Sequence, residues 1–521
     1  MKYLSFTTNC VLILSFVYVV NCANILGYFF FPGKSHQFVF QPIWKELALR
    51  GHNVTVITTD PLNEDIPNLR EINVADSYSV FLNHEFSNVR RESTPPYKMI
   101  LFYQEVFVDI FKMQMENKEV QDLLELPKNA FDLIILESHN KMAFGWKHKF
   151  DAPVVALSSF GLPVFSHYLH GNPIHPILYP DFLSEIRECT TLVDKVESTY
   201  FTLSCWFVVK FLIGPEADAL ARTYFGNDMP YLDDLEKDSM VFINANPIFS
   251  DRRPKTPDVM EFSAILPIRD TLTKDLKQIL DNAKEGVVYF SLGTNVRFDH
   301  VQGDVKKNIM AALGDLPYTV ICKWESESIE GQPKNVHLRK WLPQQAVLAH
   351  PNVKVFITQG GLQSSEEAII NAVPLVVIPF LGDQPLNAKI LKSNGMAETI
   401  SPKELNRELL RDTILTVARK ENYRQRAKEL RDIFLDQPQS GVDKVVWWCE
   451  YVIRHKGAKH LRSPAADISL YHYFMIDVIA VFILSFYLTF KIIQLVFAII
   501  VGLFRRKPAE AEVSRKKKKK N

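Results

Sequence analysis

The segment between Trp341 and Gln384 contains side chains that suit a phosphorylated ligand carrying a planar base. Trp341 offers an aromatic face for stacking, and Gln344 adds an amide. The β-branched and aromatic run Lys354–Thr358 then predicts a buried strand. An aromatic platform and a strand that leads into a turn therefore open this segment.

Gln359, Gly360 and Gly361 follow that strand directly. The two glycines let the backbone approach a ligand closely, and the apolar spacing that follows predicts a helix beginning there. A helix N-terminus presents unpaired N–H groups and a partial positive charge, so the turn suits a phosphate. The plain alternative is a βα turn without a ligand.

Carboxylates and amides near this turn can hold hydroxyl groups. Glu367, one turn into the predicted helix, can accept hydrogen bonds from a ribose diol, while Asp383 and Gln384 follow the next predicted strand and suit further hydroxyls. Aromatic face, amide, phosphate cradle, diol acceptor and polyol acceptor occur in this order. Together they indicate a nucleotide-sugar site, which a plain βα turn leaves unexplained.

This segment resembles the UDP-glycosyltransferase family that conjugates small lipophilic molecules, and its Thr-Gln-Gly-Gly sequence is most similar to invertebrate members. Much of the family has His at the position of Gln359, so an amide donor replaces an imidazole here. The resemblance implies an α/β fold of two Rossmann-like doubly wound domains that face a cleft, the GT-B type. We expect Gln359, Gln363 and Ser364 at this helix N-terminus to be further donors to the diphosphate.

His36 is the candidate for proton transfer. Asn24–Phe31 predicts a first strand, Ser35 a helix N-cap, and Val54–Thr58 a second strand beyond the helix. Such a βαβ unit begins a doubly wound sheet, which binds ligands at the carboxyl ends of its strands. We therefore expect His36 in the first helical turn at the crevice, where the helix dipole disfavours imidazolium.

Glu137 is the candidate partner of His36. The buried run Phe131–Leu136 predicts a strand that ends at Glu137. The resemblance implies that His36 is the catalytic base. Much of the family has Asp where this chain has Glu137, and that Asp holds the imidazole tautomer and stabilises the imidazolium. Glu137 can do the same with one extra methylene. Two alternatives stay open, because Glu137 could cap the next helix and His139 is a rival neighbour.

The second half of the chain has a similar organisation. Gly286–Asn295 predicts a strand and a small-residue turn, and the resemblance places this turn over the diphosphate with Ser291 and Thr294 as hydroxyl donors. Val320–Trp324 and Val336–Arg339 predict two more strands, and Pro402–Ala418 and Glu421–Leu435 predict helices. Val442–His455 predicts a helix that, by the same resemblance, crosses back to the first domain.

A chain of 521 residues is too long for one hydrophobic core. We expect a signal peptide at 1–23, an acceptor-binding Rossmann-like domain at 24–243, a linker at 244–271, a UDP-sugar-binding Rossmann-like domain at 272–440, a crossing helix and membrane-proximal segment at 441–470, a transmembrane segment at 474–504 and a cytosolic basic tail at 505–521.

The two ends of the chain predict its location. The apolar core of the first 23 residues is short, which favours a cleaved signal peptide over an uncleaved anchor. By the positive-inside rule, the basic residues after the transmembrane segment place the tail in the cytosol and both domains in the lumen. Lys518 and Lys519 resemble a dilysine signal for the endoplasmic reticulum, although a solvated stop-transfer tail is the alternative.

Two further segments allow more than one interpretation. The apolar run Tyr200–Ile213 could line the acceptor pocket, press into a membrane surface or form an ordinary buried helix. Asn53 begins an N-glycosylation sequon, and we expect it to be unmodified because it starts a predicted buried strand.

Charge and sequence composition indicate which kinds of binding partner the chain is expected to have. The formal net charge is +1, and the basic residues cluster at the carboxyl end, which does not suggest a nucleic-acid partner. The chain has no Asp-x-Asp sequence that could bridge a metal to a diphosphate. We therefore expect metal-independent turnover, with the UDP-sugar as co-substrate and no other cofactor.

The expected activity is inverting transfer of a sugar, with glucose favoured by the resemblance, to a hydroxyl of a small lipophilic acceptor in detoxification or metabolite conjugation. A sphingolipid acceptor is a close alternative. Gln359 and Glu137 depart from the family pattern. This departure motivates a third possible function, that of a UDP-sugar-binding membrane protein without transfer activity. A single-pass receptor fits the topology but not the donor segment. The acceptor and the oligomeric state are left open by the sequence.

Overall fold

The computed structural model describes residues 22–84, 95–250, 252–263, 271–293, 303–324, 326, 328–329, 331–380 and 382–505. Within these ranges, short runs rich in β-branched and aromatic residues form thirteen strands, which pair in parallel within two separate sheets. Thr294, most of the predicted signal peptide and the basic tail beyond Arg505 lie outside the described residues.

The first sheet has seven strands in the order β3-β2-β1-β4-β5-β6-β7. Its strands are β1 (Asn24–Phe29), β2 (Asn53–Thr58), β3 (Leu69–Asn73), β4 (Leu133–Glu137), β5 (Val154–Ser158), β6 (Met240–Asn244) and β7 (Val259–Phe262). The strand order reverses between β1 and β4, and in open α/β sheets the crevice at such a reversal is where ligands bind.

The second sheet has six strands in the order β10-β9-β8-β11-β12-β13. They are β8 (Val287–Ser291), β9 (Thr319–Lys323), β10 (Val336–Arg339), β11 (Val353–Thr358), β12 (Leu375–Val377) and β13 (Ala397–Thr399). Here the order reverses between β8 and β11, so each sheet has one crevice at the carboxyl ends of its two central strands.

Nineteen α-helices are present in the described residues. They are α1 (Lys34–Leu49), α2 (Ser77–Asn83), α3 (Pro96–Met115), α4 (Lys118–Leu124), α5 (Gly145–Phe150), α6 (Val164–Leu169), α7 (Leu192–Val208), α8 (Gly214–Phe225), α9 (Leu232–Lys237), α10 (Lys274–Asn282), α11 (Gly303–Gly314), α12 (Gln344–Leu348), α13 (Leu362–Ile370), α14 (Gln384–Ser393), α15 (Arg407–Arg419), α16 (Glu421–Leu435), α17 (Gly441–His455), α18 (Leu470–Tyr473) and α19 (Ile476–Arg505).

Both faces of each sheet are buried under apolar side chains. In β1, Leu26 and Tyr28 belong to one core cluster while Ile25 and Phe29 belong to another. Successive strand residues point to opposite faces, so the two clusters lie on the two sides of the sheet. Strand β8 divides its residues between two clusters in the same way. This two-sided burial explains why the central strands are apolar runs without alternation, whereas the edge strands β3 and β10 contain partly exposed polar residues.

Helix α17 extends the core of the first sheet. Its residues Val445, Cys449 and Val452 are fully buried in the same cluster as Ile25 and Phe29. The helix thus follows the second sheet in the chain but packs against the first.

Two helix starts differ from the sequence prediction. Helix α1 begins at Lys34 with Gly33 as N-cap, so the prediction of Ser35 as N-cap was wrong. The extended backbone of Gly33 lets its carbonyl accept from His36 N (2.9 Å), which starts the helix earlier. A helix predicted from Pro402 begins instead at Arg407, because the side chain of Asn406 caps it by accepting from Leu409 N.

Helix α7 is not an ordinary buried helix. One of its faces is buried through Phe201, Cys205 and Val208, whereas the opposite face exposes Leu203 and Phe207. A π-helical turn continues it toward α8. Of the three interpretations of Tyr200–Ile213, the ordinary buried helix does not fit this exposed apolar face.

Asn53 is exposed at the first position of β2, although the rest of the strand is buried. Its side-chain amide donates to Asn24 Oδ1 (3.0 Å). The burial on which we based the expectation of an unmodified sequon therefore does not apply to Asn53 itself.

The described residues from 464 to 505 belong to a unit of their own, in which α19 is the long element. Its thirty residues correspond to about 45 Å of helix, more than the roughly 30 Å of a bilayer core. None of them is buried. The helix is therefore long and apolar enough to cross a membrane.

Candidate active site

His36 and Glu137 meet at the strand-order reversal of the first sheet. His36 is in the first turn of α1, which follows β1, and Glu137 is the last residue of β4. Because β1 and β4 are neighbours, their carboxyl ends bring the two side chains together. His36 Nδ1 lies 2.9 Å from Glu137 Oε1.

Glu137 is fully buried, and its other oxygen, Oε2, accepts from the backbone N–H of Phe31 (3.1 Å). The next helical turn is capped by Asn140, whose Oδ1 accepts from Met142 N (3.0 Å). Glu137 is therefore not a helix cap. A carboxylate can only accept, so the bond to His36 places the proton on Nδ1 and leaves Nε2 as the basic nitrogen.

His139, the rival neighbour, has a different contact. Its ring stacks on Phe160 with 4.4 Å between centroids, while Phe160 is also edge-on to His36 at 5.1 Å. Burial and the neighbouring charge of His36 lower the pKa of His139 to about 3. His139 is therefore neutral at physiological pH and forms an aromatic wall with Phe160.

Ser159 was missed by the sequence analysis. It follows β5 directly, is fully buried, and places Oγ 2.8 Å from His36 Nδ1. Strand β5 pairs with β4. Because parallel strands end at the same edge of a sheet, the position of Ser159 after β5 could have predicted that it lies near Glu137. Serine is so common after strands, however, that this position alone does not identify a site residue.

In the second sheet, Gln359, Gly360 and Gly361 follow β11 at its strand-order reversal. Gly360 has φ +86°, and a Cβ there would lie 2.6 Å from Val377 Cγ1. Gly361 is the N-cap of α13 and has no side chain to occupy the first N–H groups of that helix. Backbone donors therefore face the turn, as the sequence predicts for a phosphate.

The turn after β8 packs against Gln359. Gly293 has φ +73°, and a Cβ added to it would lie 2.4 Å from Gln359 Nε2. The buried hydroxyl of Ser291 accepts from Gly293 N at 3.4 Å and so orders this turn. The two turns predicted to surround the diphosphate are thus adjacent, as far as the described residues show.

Gln344 contacts the carboxylate predicted to accept from a ribose. Its Nε2 donates to Glu367 Oε2 (2.6 Å) and to Ser364 Oγ (3.0 Å). Gln345 donates to Glu367 Oε1 (3.1 Å). Burial raises the pKa of Glu367, and the two amides act in the opposite direction. Gln344 therefore orients Glu367 and Ser364.

Trp341 is half exposed, which leaves a ring available for stacking. Lys34 Nζ lies 4.5 Å from the ring centroid and Lys323 Nζ lies 5.2 Å from it. Lys323 also donates to the carbonyl of Gly293 (2.5 Å). Lys34 belongs to α1, so this aromatic platform connects the second sheet with the first turn of the helix that carries His36.

Asp383 and Gln384 lie at the start of α14, after β12. Asp383 Oδ2 accepts from Asn387 Nδ2 (2.7 Å), and the same amide donates to the carbonyl of Gly360 (3.0 Å). Gln384 is buried, and its Oε1 accepts from Phe380 N (2.9 Å). Asn387, which the sequence did not indicate, thus joins Asp383 to the glycine turn.

Gln363 makes a contact that the sequence did not predict. Its Nε2 donates to the carbonyl of Ser159 across the two sheets (2.9 Å). The same carbonyl accepts from Asn244 Nδ2 (3.1 Å) at the end of β6. The first turn of α13 is thereby hydrogen-bonded to the residue that contacts His36.

Glu366 is buried beside this contact and accepts from Asn246 Nδ2 at 3.3 Å. Burial raises the pKa of Glu366 to about 8. The folded chain therefore holds a proton that an unfolded chain releases near pH 4.5, so this group stabilises the fold progressively less as the pH rises from about 4.5 to about 8.

We expect Glu366→Gln, which keeps the shape without a titrating group, to gain thermal stability relative to the wild type as the pH is raised from 5 to 8. The relative gain in Tm should be roughly 2–5 °C. Thermal unfolding of both proteins in detergent across this pH range measures it. A difference in Tm that stays constant with pH would contradict the assignment.

In the described part of the chain, His, Cys, Asp and Glu side chains form no group of three suited to a metal ion. The site consists instead of a His–carboxylate pair on the first sheet and a glycine turn with a helix N-terminus on the second.

A family model described as UDP-glucoronosyl and UDP-glucosyl transferase matches residues 31–507. The chain is 30% identical to UDP-glycosyltransferase UGT5 of Dactylopius coccus over 94% of this chain and 93% of that protein. It is 29% identical to an ecdysteroid UDP-glucosyltransferase of Spodoptera littoralis nuclear polyhedrosis virus, with coverages of 90% and 95%. It is 26% identical to 2-hydroxyacylsphingosine 1-beta-galactosyltransferase of Homo sapiens, with coverages of 92% and 89%.

Solved structures share the fold. Glycosyltransferase VinC in complex with DTDP matches with a TM-score of 0.56 and 15% identity, covering 83% of this chain and all of that one. CalG4, the calicheamicin glycosyltransferase, matches with a TM-score of 0.56 and 17% identity, covering 83% and 99%. The predicted fold class, two Rossmann-like domains of GT-B type with a C-terminal helix that could span a membrane, is confirmed.

Proposed function

The chain belongs to the UDP-glucoronosyl and UDP-glucosyl transferase family, and we propose that it transfers glucose from UDP-glucose to a hydroxyl group of a small lipophilic acceptor. The family and the fold make it a glycosyltransferase. Glucose as the donor sugar is supported by the glucosyltransferases among its relatives. Conjugation or detoxification of such acceptors is the role we infer.

One observation supports catalysis more than any other. The hydrogen-bonded pair of His36 and Glu137 lies on the first sheet. Hydrogen bonds through Ser159 and Gln363 connect this pair to the N-terminus of α13 on the second sheet. A proton acceptor and a phosphate cradle thus belong to one hydrogen-bonded assembly. Binding of a UDP-sugar by itself would not need the His–carboxylate pair.

The proposed reaction is direct displacement at the anomeric carbon. His36 Nε2 removes the acceptor hydroxyl proton while the hydroxyl oxygen attacks the carbon from the side opposite UDP. The bond from the carbon to the diphosphate oxygen breaks, and its electron pair leaves with UDP. Inversion at that carbon converts an α-linked donor into a β-glycoside. The imidazolium of His36 is stabilised by Glu137 until the proton passes to water.

The leaving group is stabilised by the glycine turn. The N–H groups at Gly361 and in the first turn of α13 face developing negative charge on the diphosphate, which is where fixed donors lower a barrier. Gln359 and Ser364 adjoin this turn as further donors. Trp341 would stack the uracil, Glu367 would bind the ribose hydroxyls, and Asp383 would bind the sugar.

A sphingolipid acceptor is the second candidate, because a relative over nearly the whole chain is a 2-hydroxyacylsphingosine galactosyltransferase. We also propose that the enzyme resides in the membrane of the endoplasmic reticulum with both sheets in the lumen. The length of α19 and the basic residues beyond it support this location.

A donor and acceptor screen tests the function. Full-length protein in detergent is incubated with UDP-glucose, UDP-galactose or UDP-glucuronate and with a phenol, an ecdysteroid or a ceramide. We expect UDP release and a glycoside with UDP-glucose and the phenol or ecdysteroid, unchanged by a chelator. Galactosylation of ceramide would favour the second candidate, and UDP binding without transfer to any acceptor would contradict both.

A further inference from the structure

Ser159 occupies a position from which it can act on both halves of the site. Its hydroxyl Oγ lies 2.8 Å from His36 Nδ1, while its carbonyl accepts from Gln363 Nε2 at 2.9 Å. The residue is fully buried, and Asn244 donates to the same carbonyl. One short, rigid residue thus contacts the base of the first sheet and the donor-binding helix of the second.

The protonation of His36 determines what the hydroxyl can do. Nδ1 offers either one N–H or one lone pair, and the Glu137 carboxylate at 2.9 Å can only accept. Nδ1 therefore carries the proton and shares it between Glu137 and Ser159 Oγ in a three-centre hydrogen bond. If Ser159 donated to Nδ1 instead, the proton would sit on Nε2 and His36 could not act as a base.

The carbonyl of Ser159 connects the hydrogen bonds around His36 to the helix that is expected to bind the sugar donor. Gln363 is the second residue of α13, the helix whose N-terminus faces the phosphate turn. A shift of α13 on donor binding would move the amide of Gln363, and with it the peptide of Ser159. The serine hydroxyl would then move relative to the imidazole.

We propose that Ser159 is a positioning residue that couples the seating of the donor-binding helix to the orientation of His36, through its carbonyl on one side and its hydroxyl on the other. This inference rests on the proposed transfer activity. It also reassigns Gln363 from a diphosphate donor to a hydrogen bond between the two sheets.

A double-mutant cycle of Ser159→Ala and Gln363→Met in the full-length protein tests the coupling. Each change should lower kcat about tenfold, which is the effect of roughly one lost hydrogen bond. Because each change disrupts the same chain of contacts, the double variant should lose about 10–20-fold and not the product of the two. Affinity for UDP, measured by calorimetry, should change less than threefold in every variant.

Two controls separate positioning from a general loss of packing. Ser159→Thr, which retains the hydroxyl, should recover most of the kcat lost in Ser159→Ala. Ser198→Ala removes another fully buried serine hydroxyl, one bonded to Pro176 O, and should leave kcat within twofold of the wild type.

Several outcomes would overturn the inference. Additive losses in the double variant would show that the two residues act separately. A tenfold weaker affinity for UDP in Gln363→Met would show that its amide serves the diphosphate. If the wild-type protein binds UDP but transfers no sugar, the proposed function is contradicted. The positioning role of Ser159, which rests on that function, is then contradicted as well.

Discussion

Replacement of His36 by alanine is expected to lower kcat/KM for sugar transfer by about 10³-fold, within the range that a positioned general base contributes. In this structure His36 is bonded to a buried carboxylate on one ring nitrogen, which leaves the other available to the acceptor hydroxyl. Alanine removes that nitrogen but leaves the glycine turn and α13 intact. Affinity for UDP should therefore stay within about twofold of the wild type.

His139→Ala is the matched control for His36→Ala, because His139 lies in the same aromatic surroundings and is bonded to neither Glu137 nor the base. We expect it to lower kcat/KM less than tenfold. Steady-state kinetics with UDP-glucose and one phenolic acceptor measure both variants. If His139→Ala had the larger effect, the roles assigned to the two histidines would have to be exchanged.

Glu137→Gln is expected to lower kcat by about 10²–10³-fold with little change in KM for the donor. A glutamine can turn its NH2 group toward His36 Nδ1, which would move the imidazole proton to Nε2 and remove the base. It also cannot stabilise the imidazolium by charge. Phe31 N donates to the other carboxylate oxygen of buried Glu137, so the single oxygen of a glutamine would occupy that position and its NH2 group would face His36.

Glu137→Asp keeps the charge but shortens the reach by one methylene. An intermediate loss of about tenfold is expected, because the aspartate still accepts from Nδ1 at a longer distance. Melting temperatures of all three proteins should be compared, so that a folding defect is recognised. Equal activity of Glu137→Gln and the wild type would show that the carboxylate does not orient the base.

Several features of this protein could be predicted from short stretches of sequence. The strand β11, the helix after Gly361 and the helix α16 lie where the apolar spacing indicates, because two-sided burial makes a central parallel strand an apolar run and a helix repeats its apolar residues every three or four positions. His36 and the glycine turn were found for the same reason, since each follows a recognisable strand.

Contacts between distant parts of the chain could not be predicted in this way. Ser159 lies 123 residues from His36 and 204 from Gln363 in the sequence, and no periodicity or spacing relates these positions. Asn387 and Lys34 were not predicted either. Asn387 matters because it donates to the carbonyl of Gly360, and Lys34 because it lies over the ring of Trp341, and both partners are on other elements. Helix starts at Lys34 and Arg407 also differed, since Gly33 and Asn406 compete with nearby residues as caps.

The sequence by itself thus determined the kinds of chemistry present: a histidine after the first strand, a glycine turn before a helix, and an apolar helix near the carboxyl end. Only the tertiary structure decided which groups meet. The orders β2-β1-β4-β5 and β9-β8-β11-β12 bring strand ends from far apart to the same edge. Hydrogen bonds depend on distances of about 3 Å, which local propensities do not encode. The pairing of His36 with Glu137 and Ser159, and of Ser159 with Gln363, follows from that packing.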